Sequence, residues 1–438
     1  MSEFQILNGR VIVAAPSSGS GKTVVTLGLL RLLAREGVAV SPVKLGPDYI
    51  DPAFHTAACG APSVNIDPWA MPPSLQQSLL PKGPCVAEAM MGLFDGAADG
   101  TGSAADFAAT HNMPIVLVVD CASMGHSVAA IAHGFATHRS DVKLAGVILN
   151  RVGSDRHEAM LRDALAASGL PVVAVLRRSE AIKLPSRHLG LVQAQETSEL
   201  NAFVDEVADL LASSLDISAL AGIMQSGETD GSATSTISLE PPGQRIAVAR
   251  DTAFAFFYPH FARDWQCAGA SIQFFSPLVD DAPPDDCDVV LLPGGYPELY
   301  AERLAANENF KKGLCAAAQK VPVYGECGGF MVLGKGLIDA DGQRHQMAGL
   351  LPVETSFAKR KLHLGYRRGQ ISKASPVWRG IAFTGHEFHY STQISEVSAQ
   401  PFAQSVTDAM SRDIGAVGAT AGRVTGSYLH LICEARNG

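Results

Sequence analysis

The feature that most constrains this chain lies near its N-terminus, where an apolar run, a glycine-rich loop and an amphipathic run follow one another directly. Residues 11–35 read VIVAAPSSGSGKTVVTLGLLRLLAR. The first run is rich in β-branched side chains, which favours a buried strand, and the residues after the loop have the apolar spacing of a helix. A strand that leads through a short loop into a helix is the building unit of a parallel sheet. The sequence therefore predicts an α/β fold.

Apolar runs of strand length recur along the first half of the chain, separated by longer amphipathic stretches. They read VAVSPVK (38–44), IVLVVD (115–120), LAGVILN (144–150) and PVVAVL (171–176). Between about 213 and 244 the composition changes to Ser, Thr, Gly and Pro, as in SGETDGSATSTISLEPPGQ, which is typical of a linker. After it the alternation resumes with RIAVAR, SIQFFSP, DVVLLPGG and VPVYGECGG. These patterns predict two open α/β domains, residues 1–215 and 245–438, joined by a linker at 216–244.

The composition excludes several classes of protein. The chain has 438 residues, 47% of them hydrophobic and 18% charged, and no apolar run reaches the length of about 18 residues that a membrane span needs. The N-terminus lacks the pattern of a signal peptide, so we expect a cytoplasmic protein. A formal net charge of -9 argues against a nucleic-acid partner, because such affinity comes mostly from clustered Lys and Arg. The eight cysteines form no C-x-x-C pair, which argues against a zinc site or a disulfide framework.

The loop SSGSGKT has the parts that bind a nucleotide phosphate. Glycines let backbone N–H groups turn inward, a lysine reaches the outer phosphates, and a hydroxyl at the helix start serves Mg²⁺. Pro16 stands where the full phosphate-loop pattern has a glycine. The predicted ATP-binding residues are Ser18, Gly19, Ser20, Gly21, Lys22, Thr23 and Asn150, the last because its amide can both donate to and accept from a purine edge.

Two acidic loops are expected at the same edge of the first sheet. KLGPDYIDP (44–52) carries Asp48 and Asp51, and EAMMGLFDG (88–96) carries Glu88 and Asp95. Open parallel sheets bind ligands beyond the carboxyl ends of their strands, and Mg²⁺ takes one or two carboxylates besides phosphate oxygens and water. The pattern predicts a magnesium site beside the phosphate loop.

The second half contains a candidate nucleophile. In VPVYGECGGF, Cys327 follows a predicted strand and is flanked by glycines that permit a strained turn, as in a nucleophile elbow, and we expect its thiol to be exposed. Upstream, LLPGGYPE offers the N–H groups of Gly294 and Gly295 to a developing oxyanion. The base should be a distant histidine. His430 in GSYLHL is the candidate, and GHEFHYS (385–391) offers two more histidines and Glu387, between which spacing cannot choose.

Taken together, these motifs give the chain a family resemblance. APSSGSGKT, GPDYIDP, MMGLFDG, LPGGYPE, GECGGF and GHEFHYS occur in the order seen in the cobyrinic acid a,c-diamide synthase family, which includes hydrogenobyrinic acid counterparts. The resemblance covers essentially all of the chain. It implies an N-terminal ATPase domain like that of dethiobiotin synthetase and a C-terminal class I glutamine amidotransferase domain.

The resemblance also implies roles for the motif residues. Cys327 would be the glutaminase nucleophile and His430 its base. Many class I glutaminases have Glu two residues after this histidine, whereas this chain has Ile432, so the group that orients the imidazole is left open. Thr23, Asp51 and Glu88 would hold Mg²⁺. The corrinoid would contact Asp48, Tyr49, Ile50 and Asp95.

The implied reaction is the amidation of the a and c acetate groups of cobyrinic or hydrogenobyrinic acid, in cobalamin biosynthesis, with ATP and glutamine as cosubstrates, through acyl phosphates. Family habit implies a homodimer. Two alternatives are a synthase that diamidates nickel-sirohydrochlorin and a switch ATPase of the chromosome-partitioning kind. The second of these predicts no glutaminase domain, and GECGGF argues against it.

Overall fold

The computed structural model of the chain describes residues 3–179, 186–187, 190–191, 199–225, 236–395 and 399–435. The chain divides into two compact units, Met1–Thr236 and Ile237–Gly438. Each unit has its own set of buried strands, so each is described separately.

Unit 1 is built on a seven-stranded sheet in the order β3-β2-β4-β1-β5-β6-β7. All six pairings between neighbouring strands are parallel. The strands are β1 (Arg10–Ala14), β2 (Ser41–Leu45), β3 (Val64–Ile66), β4 (Cys85–Glu88), β5 (Ile115–Asp120), β6 (Leu144–Val152) and β7 (Val172–Arg177), with a separate pair β8 (Ser186–Arg187) and β9 (Gly190–Leu191). Because the strands are parallel, the carboxyl ends of β1, β2 and β4 meet at one edge.

The helices of unit 1 follow from the sequence in ordinary ways. The helix α4 begins with a capping box, in which Ser103 and Asp106 each bond the other's backbone N–H. The helix after the phosphate loop, α1, is buried along most of its length and packs closely on α7, since a Cβ on Gly28 would lie 2.5 Å from Val207 Cγ1. The helices are α1 (Lys22–Arg35), α2 (Asp51–Cys59), α3 (Pro73–Leu79), α4 (Ala104–His111), α5 (Ser127–Thr137), α6 (Asp155–Ala166), α7 (Leu200–Ala212) and α8 (Ile217–Gln225).

Unit 2 is built on a six-stranded sheet in the order β11-β10-β12-β13-β23-β22, parallel except for the edge strand β22. Two further sheets have the orders β15-β14-β16-β19 and β21-β20-β17-β18-β24. The strands are β10 (Arg245–Ala249), β11 (Ser271–Phe275), β12 (Val289–Leu292), β13 (Val323–Glu326), β14 (Gly336–Ile338), β15 (Arg344–Gln346), β16 (Glu354–Ser356), β17 (His363–Ile371), β18 (Ala382–His389), β19 (Thr392–Gln393), β20 (Ala403–Asp408), β21 (Asp413–Val417), β22 (Ala419–Ala421), β23 (Val424–Ser427) and β24 (Leu429–Glu434). The helices are α9 (Pro259–Cys267), α10 (Ala301–Ala306), α11 (Glu308–Lys320) and α12 (Gly328–Leu333).

Part of the segment predicted as a linker is structured. Residues 217–225 form α8, whose apolar side is buried in unit 1. At the other end, Ser238 donates through both its N–H and its hydroxyl to Asp264 Oδ2 at 2.7 Å, so this residue belongs to unit 2. Both features were missed from the sequence because Ser, Thr, Gly and Pro dominate the composition of 213–244 as a whole. The middle of the predicted linker, 226–235, lies outside the described residues.

Within the described ranges, no single helix is both long enough and apolar enough to cross a bilayer. Only together do α7 and α8 have the length and apolar composition of a span, and they are bent by 97° relative to each other.

Substitutions in α8 test whether it is an integral part of unit 1. Met224 is fully buried, so Met224→Ala should lower the free energy of unfolding of unit 1 by about 2–5 kcal/mol. Gly222 is exposed on the same helix, and a Cβ on it would have no neighbour within 4 Å, so Gly222→Ala should raise this free energy by about 0.5–1 kcal/mol.

Hydrogen exchange of a peptide covering β1, followed in the full chain over a urea series, reports the unfolding of unit 1. If α8 were a linker helix detached from unit 1, both variants would have the same free energy of unfolding of unit 1 as the wild type.

Candidate functional site

The phosphate loop of unit 1 connects β1 directly to α1. Gly19 and Gly21 have left-handed backbone angles, φ 80° and φ 92°, which favour glycine. A Cβ on Gly21 would lie 2.2 Å from Asn150 Nδ2, so this position has no room for a side chain. Gly21 is also the N-cap of α1 and offers no side-chain cap. The N–H groups of the first turn can therefore serve an anion.

Lys22 and Asn150 hold the loop from two sides. Lys22 is buried, and its Nζ donates to Ser17 O at 3.4 Å. Burial lowers the pKa of Lys22, although Glu88 opposes the shift. Asn150 ends up beneath the loop, where its Nδ2 donates to Ser20 O at 2.9 Å. The amide predicted to read adenine thus braces the loop backbone, and its contact with a purine stays a prediction.

Thr23, Asp51 and Glu88, the three predicted metal ligands, converge beside the loop. Thr23 Oγ1 donates to Glu88 Oε1 at 2.7 Å and lies 3.5 Å from Asp51 Oδ2. The convergence follows from the sheet, because Glu88 ends β4, Asp51 begins α2 after β2, and β2 pairs with β4. One hydroxyl and two carboxylates are hard oxygen donors, and the set fits Mg²⁺.

Two residues that sequence reasoning missed complete this group. Lys44 pairs in register with Glu88, and its Nζ donates to Glu88 Oε1 at 3.0 Å and to Asp51 Oδ2. Buried His55 donates from Nε2 to Glu88 Oε2 at 2.7 Å. The available signal for Lys44 was a lysine at the end of an otherwise apolar strand, but nothing local to the sequence marks His55.

The charges of this group compensate one another. Burial alone would lower the pKa of Lys44, but Asp51 and Glu88 outweigh it and raise that pKa well above its usual value. Burial alone would raise the pKa of Glu88, but Lys44 and the hydrogen bond from His55 lower it below its usual range. Burial and the nearby Asp48 raise the pKa of Asp51 to about 7. At neutral pH the group therefore holds a charged ammonium against ionised Glu88.

The predicted corrinoid-binding residues lie in two loops of unit 1, one between β2 and α2 and the other after β4. Asp48 Oδ1 accepts from Ile50 N at 2.9 Å and from Asp51 N at 3.0 Å, which fixes the turn into α2. Tyr49 and Ile50 lie in this turn. Asp95 is exposed, and its Oδ2 accepts from Gly92 N at 2.8 Å. This turn lies against the phosphate loop, because a Cβ on Gly92 would lie 2.7 Å from Pro16 O. Their contact with a corrinoid stays a prediction.

Cys327 lies in a strained turn between β13 and α12 in unit 2. Its backbone angles are φ 49° and ψ -104°, outside the regions that residues with a side chain normally adopt. Cys327 N donates to Ser427 O at 2.8 Å, which holds the turn. The expectation of an exposed thiol was wrong, because Cys327 is only 3% exposed. The end of β18 covers it, with Phe388 O 3.8 Å from Sγ.

Of the candidate bases, His430 is the one whose pKa Cys327 affects. It is fully buried on β24, a Cβ placed on Gly294 would lie near both its Cε1 and the Cβ of Cys327, and its Nδ1 lies 3.1 Å from Glu326 Oε1. Burial alone would lower the pKa of His430, but Cys327 and Glu326 outweigh it and raise the pKa to about 10.

The alternatives in GHEFHYS are engaged elsewhere. His389 Nε2 lies 3.0 Å from Glu387 Oε1, and Arg367 donates to Glu387 Oε2 at 2.9 Å. His386 lies opposite His430 on the neighbouring strand, and burial lowers its pKa to about 3. Of these histidines, His430 is the one whose pKa is raised by Cys327.

The two predicted oxyanion glycines border this pair. A Cβ on Gly294 would lie 2.5 Å from His430 Cε1 and 3.2 Å from Cys327 Cβ. A Cβ on Gly295 would lie 2.1 Å from Ala253 O, and Gly295 N is 3.1 Å from the Cβ position of Gly328. Only glycine fits at these points, and it lets the backbone approach the nucleophile closely.

Comparison with known proteins agrees with this two-site arrangement. The family model described as the CobQ/CobB/MinD/ParA nucleotide binding domain matches residues 11–192, and that described as the CobB/CobQ-like glutamine amidotransferase domain matches residues 245–438. A hydrogenobyrinate a,c-diamide synthase of Rhizobium meliloti (strain 1021) is 54% identical over 97% of this chain and 99% of its own length. The chain belongs to the hydrogenobyrinate a,c-diamide synthase family.

Other members of the hydrogenobyrinate a,c-diamide synthase family are similarly close. One from Brucella abortus is 52% identical over 96% of this chain and 98% of its own length, and one from Mesorhizobium japonicum is 50% identical over 97% and 98%. Membership confirms the expected resemblance, the fold class of both domains and an amidating ligase as the class of enzyme. The roles of individual site residues stay predictions.

The burial of Lys44 makes a prediction about stability. Lys44→Met leaves Asp51 and Glu88 buried without their cation, so we expect the free energy of unfolding to fall by about 3–5 kcal/mol. The matched control is Lys312→Met, because Lys312 is exposed and pairs with Glu308 on the surface, where an ion pair contributes little.

Both variants are unfolded in urea with EDTA present, so that no divalent cation replaces the missing ammonium. Equal stability of the two variants would contradict the compensating role of Lys44.

Proposed function

We propose that this chain amidates the a and c acetate carboxylates of hydrogenobyrinic acid, or of its cobalt-containing counterpart cobyrinic acid, with ATP and glutamine, in cobalamin biosynthesis. The observation that carries the proposal is the presence of two complementary sites in one chain. One combines a phosphate loop with buried carboxylates, and the other combines a strained cysteine with a histidine. The tetrapyrrole itself is inferred from the names of the relatives.

The site in unit 2 would release ammonia from glutamine. Cys327 Sγ attacks the side-chain amide carbon of glutamine, and His430 takes the thiol proton. The negative oxygen that forms would accept hydrogen bonds from backbone N–H groups around Gly294 and Gly295. When the C–N bond breaks, His430 returns the proton to the leaving ammonia, and water then hydrolyses the thioester to glutamate.

The site in unit 1 would make the acid reactive. An acetate oxygen of the tetrapyrrole attacks the γ-phosphorus of ATP, the bond to the β-phosphate oxygen breaks, and ADP leaves. Lys22 and the N–H groups of the loop would stabilise the negative charge on the transferring group. Ammonia then attacks the acyl carbon, and inorganic phosphate departs as the C–O bond breaks.

Three groups of residues would assist in unit 1. Thr23, Asp51 and Glu88 would hold Mg²⁺, which neutralises charge on the phosphates when bound. Asn150 would contact the adenine. Asp48, Tyr49, Ile50 and Asp95 would face the corrinoid. The enzyme would act in the cytoplasm as a homodimer, a statement that rests on composition and family resemblance.

The competing functions differ in what they require. A partitioning-type switch ATPase has no use for an amidotransferase domain, which this chain contains. Nickel-sirohydrochlorin would need the same two sites, so only the choice of ring distinguishes it. We expect the corrinoid precursors to be amidated in preference to nickel-sirohydrochlorin when each is offered with ATP and glutamine.

Two substitutions separate the half-reactions. Cys327→Ala should lower glutamine-driven amidation by at least about 10³-fold, because the nucleophile is lost, while amidation driven by added ammonia is retained. Lys22→Ala should lose both activities. Cys267→Ala is the matched control, since Cys267 is an exposed free cysteine far from these motifs in sequence, and it should lose neither.

The measurements are glutamate release and mass spectrometry of the tetrapyrrole product. Glutamine-driven turnover that survives in Cys327→Ala would contradict the glutaminase role of unit 2. An unmodified ring in the wild-type reaction would contradict the proposed function as a whole.

A further inference from the structure

We propose that Glu326 is the positioning residue for His430, in place of the carboxylate that many class I glutaminases carry two residues after the histidine. The inference rests on the proposed glutaminase function. In this chain the position two residues after His430 is Ile432, a buried apolar residue that cannot orient an imidazole. The carboxylate instead comes from the residue directly before the nucleophile.

The geometry aims one oxygen of Glu326 at the histidine and fixes the other. Oε1 lies 3.1 Å from His430 Nδ1. Oε2 accepts from Leu431 N at 3.2 Å and from the Tyr324 hydroxyl at 3.2 Å. The side chains of Glu326 and His430 are 9% and 0% exposed, so water competes little for these bonds. A carboxylate held by donors on both the imidazole's strand and its own strand has little freedom to turn.

This contact selects one tautomer of His430. An ionised carboxylate only accepts hydrogen bonds, so Nδ1 of His430 must carry a proton. In the neutral imidazole the lone pair is then on Nε2, the nitrogen left to take a proton from the Cys327 thiol. The negative carboxylate also stabilises the imidazolium that forms when the thiol proton arrives. The third member of a catalytic triad has these same two roles, fixing the tautomer and stabilising the imidazolium.

The neighbouring carboxylate does not compete for this role. Glu387 on β18 accepts from Arg367 at Oε2 and is paired with His389 at Oε1. Both of its oxygens are therefore engaged away from His430. Among the carboxylates of the described residues, Glu326 is the one that pairs with His430.

A Glu326→Gln variant tests the role because glutamine has nearly the same shape but only one acceptor oxygen. Leu431 N–H is a fixed backbone donor, so the amide oxygen should face it and the NH₂ group should face His430. Nδ1 would then have to accept, which places the proton on Nε2 and leaves no base for Cys327. We expect kcat of glutamine hydrolysis to fall by about 10²–10⁴-fold. KM should change little, because Glu326 does not contact the substrate in this role.

Tyr324→Phe is the matched control for a purely structural role. It removes one of the bonds to Oε2 and leaves Oε1 facing His430. Leu431 N still holds Oε2 in Tyr324→Phe, so we expect a loss of kcat at least about 10-fold smaller than in Glu326→Gln, even if the two variants lose similar stability in urea. Amidation driven by added ammonia should persist in both, which confirms that the chain is folded and that unit 1 works.

The pH dependence of kcat/KM for glutamine hydrolysis distinguishes a positioning role of Glu326 from a merely structural one. The imidazolium of His430 gives its proton to the leaving ammonia, and this form is lost as pH rises through the pKa of His430. Cys327 and Glu326 raise that pKa, so loss of the carboxylate should shift the alkaline limb of kcat/KM for glutamine hydrolysis to lower pH in Glu326→Gln, and further than in Tyr324→Phe. Wild-type kcat and an unshifted limb in Glu326→Gln would overturn the proposal, as would equal losses of kcat in the two variants. A wild-type chain that releases no glutamate would instead overturn the proposed function.

Discussion

Both sites depend on a backbone that must pass from the end of a parallel strand into a helix within a few residues. Such a passage requires conformations that most side chains resist. Unit 1 meets the requirement with glycine, since Gly21 at φ 92° leaves no room for a Cβ beside Asn150. Unit 2 places a side chain in the strained position, that of Cys327 at φ 49°, the candidate nucleophile. The strain is compensated by the hydrogen bond from Cys327 N to Ser427 O and by close glycine packing around it.

Each site also buries charge that is compensated by a group from a distant part of the chain. In unit 1 the ammonium of Lys44 lies between carboxylates that are held apart from solvent. In unit 2 the imidazole of His430 lies between Cys327 and Glu326. Buried charges of this kind are costly when a partner is removed. They therefore hold reactive groups in one arrangement, which fits a site that must be in place before its substrates bind.

The sequence predicted those parts of the sites that lie in glycine-rich motifs or in loops that follow buried strands. Lys22 and Cys327 lie in short motifs whose glycines reveal the turn, and the fold class follows from the alternation of apolar runs. Lys44 and Glu326 were not predicted as members of the candidate sites because their partners lie 44 and 104 residues away, and their contacts depend on strand pairing that no local pattern encodes. The apolar side of α8 was hidden by the polar residues that follow it, and the antiparallel strands of unit 2 are too polar to stand out.

The pairing of β18 with β24 is irregular next to His430. Thr384 pairs with Cys433 and Gly385 with Leu431, so Ile432 is an extra residue on β24. Such a bulge reverses the alternation of side chains along a strand. The residues after the bulge can thus continue to pair with β18 while the imidazole of His430 stays on its own face of the sheet. The bulge therefore lets His430 and Cys433 pair with His386 and Thr384, which alternate on one face of β18, although the first two lie an odd number of positions apart along β24.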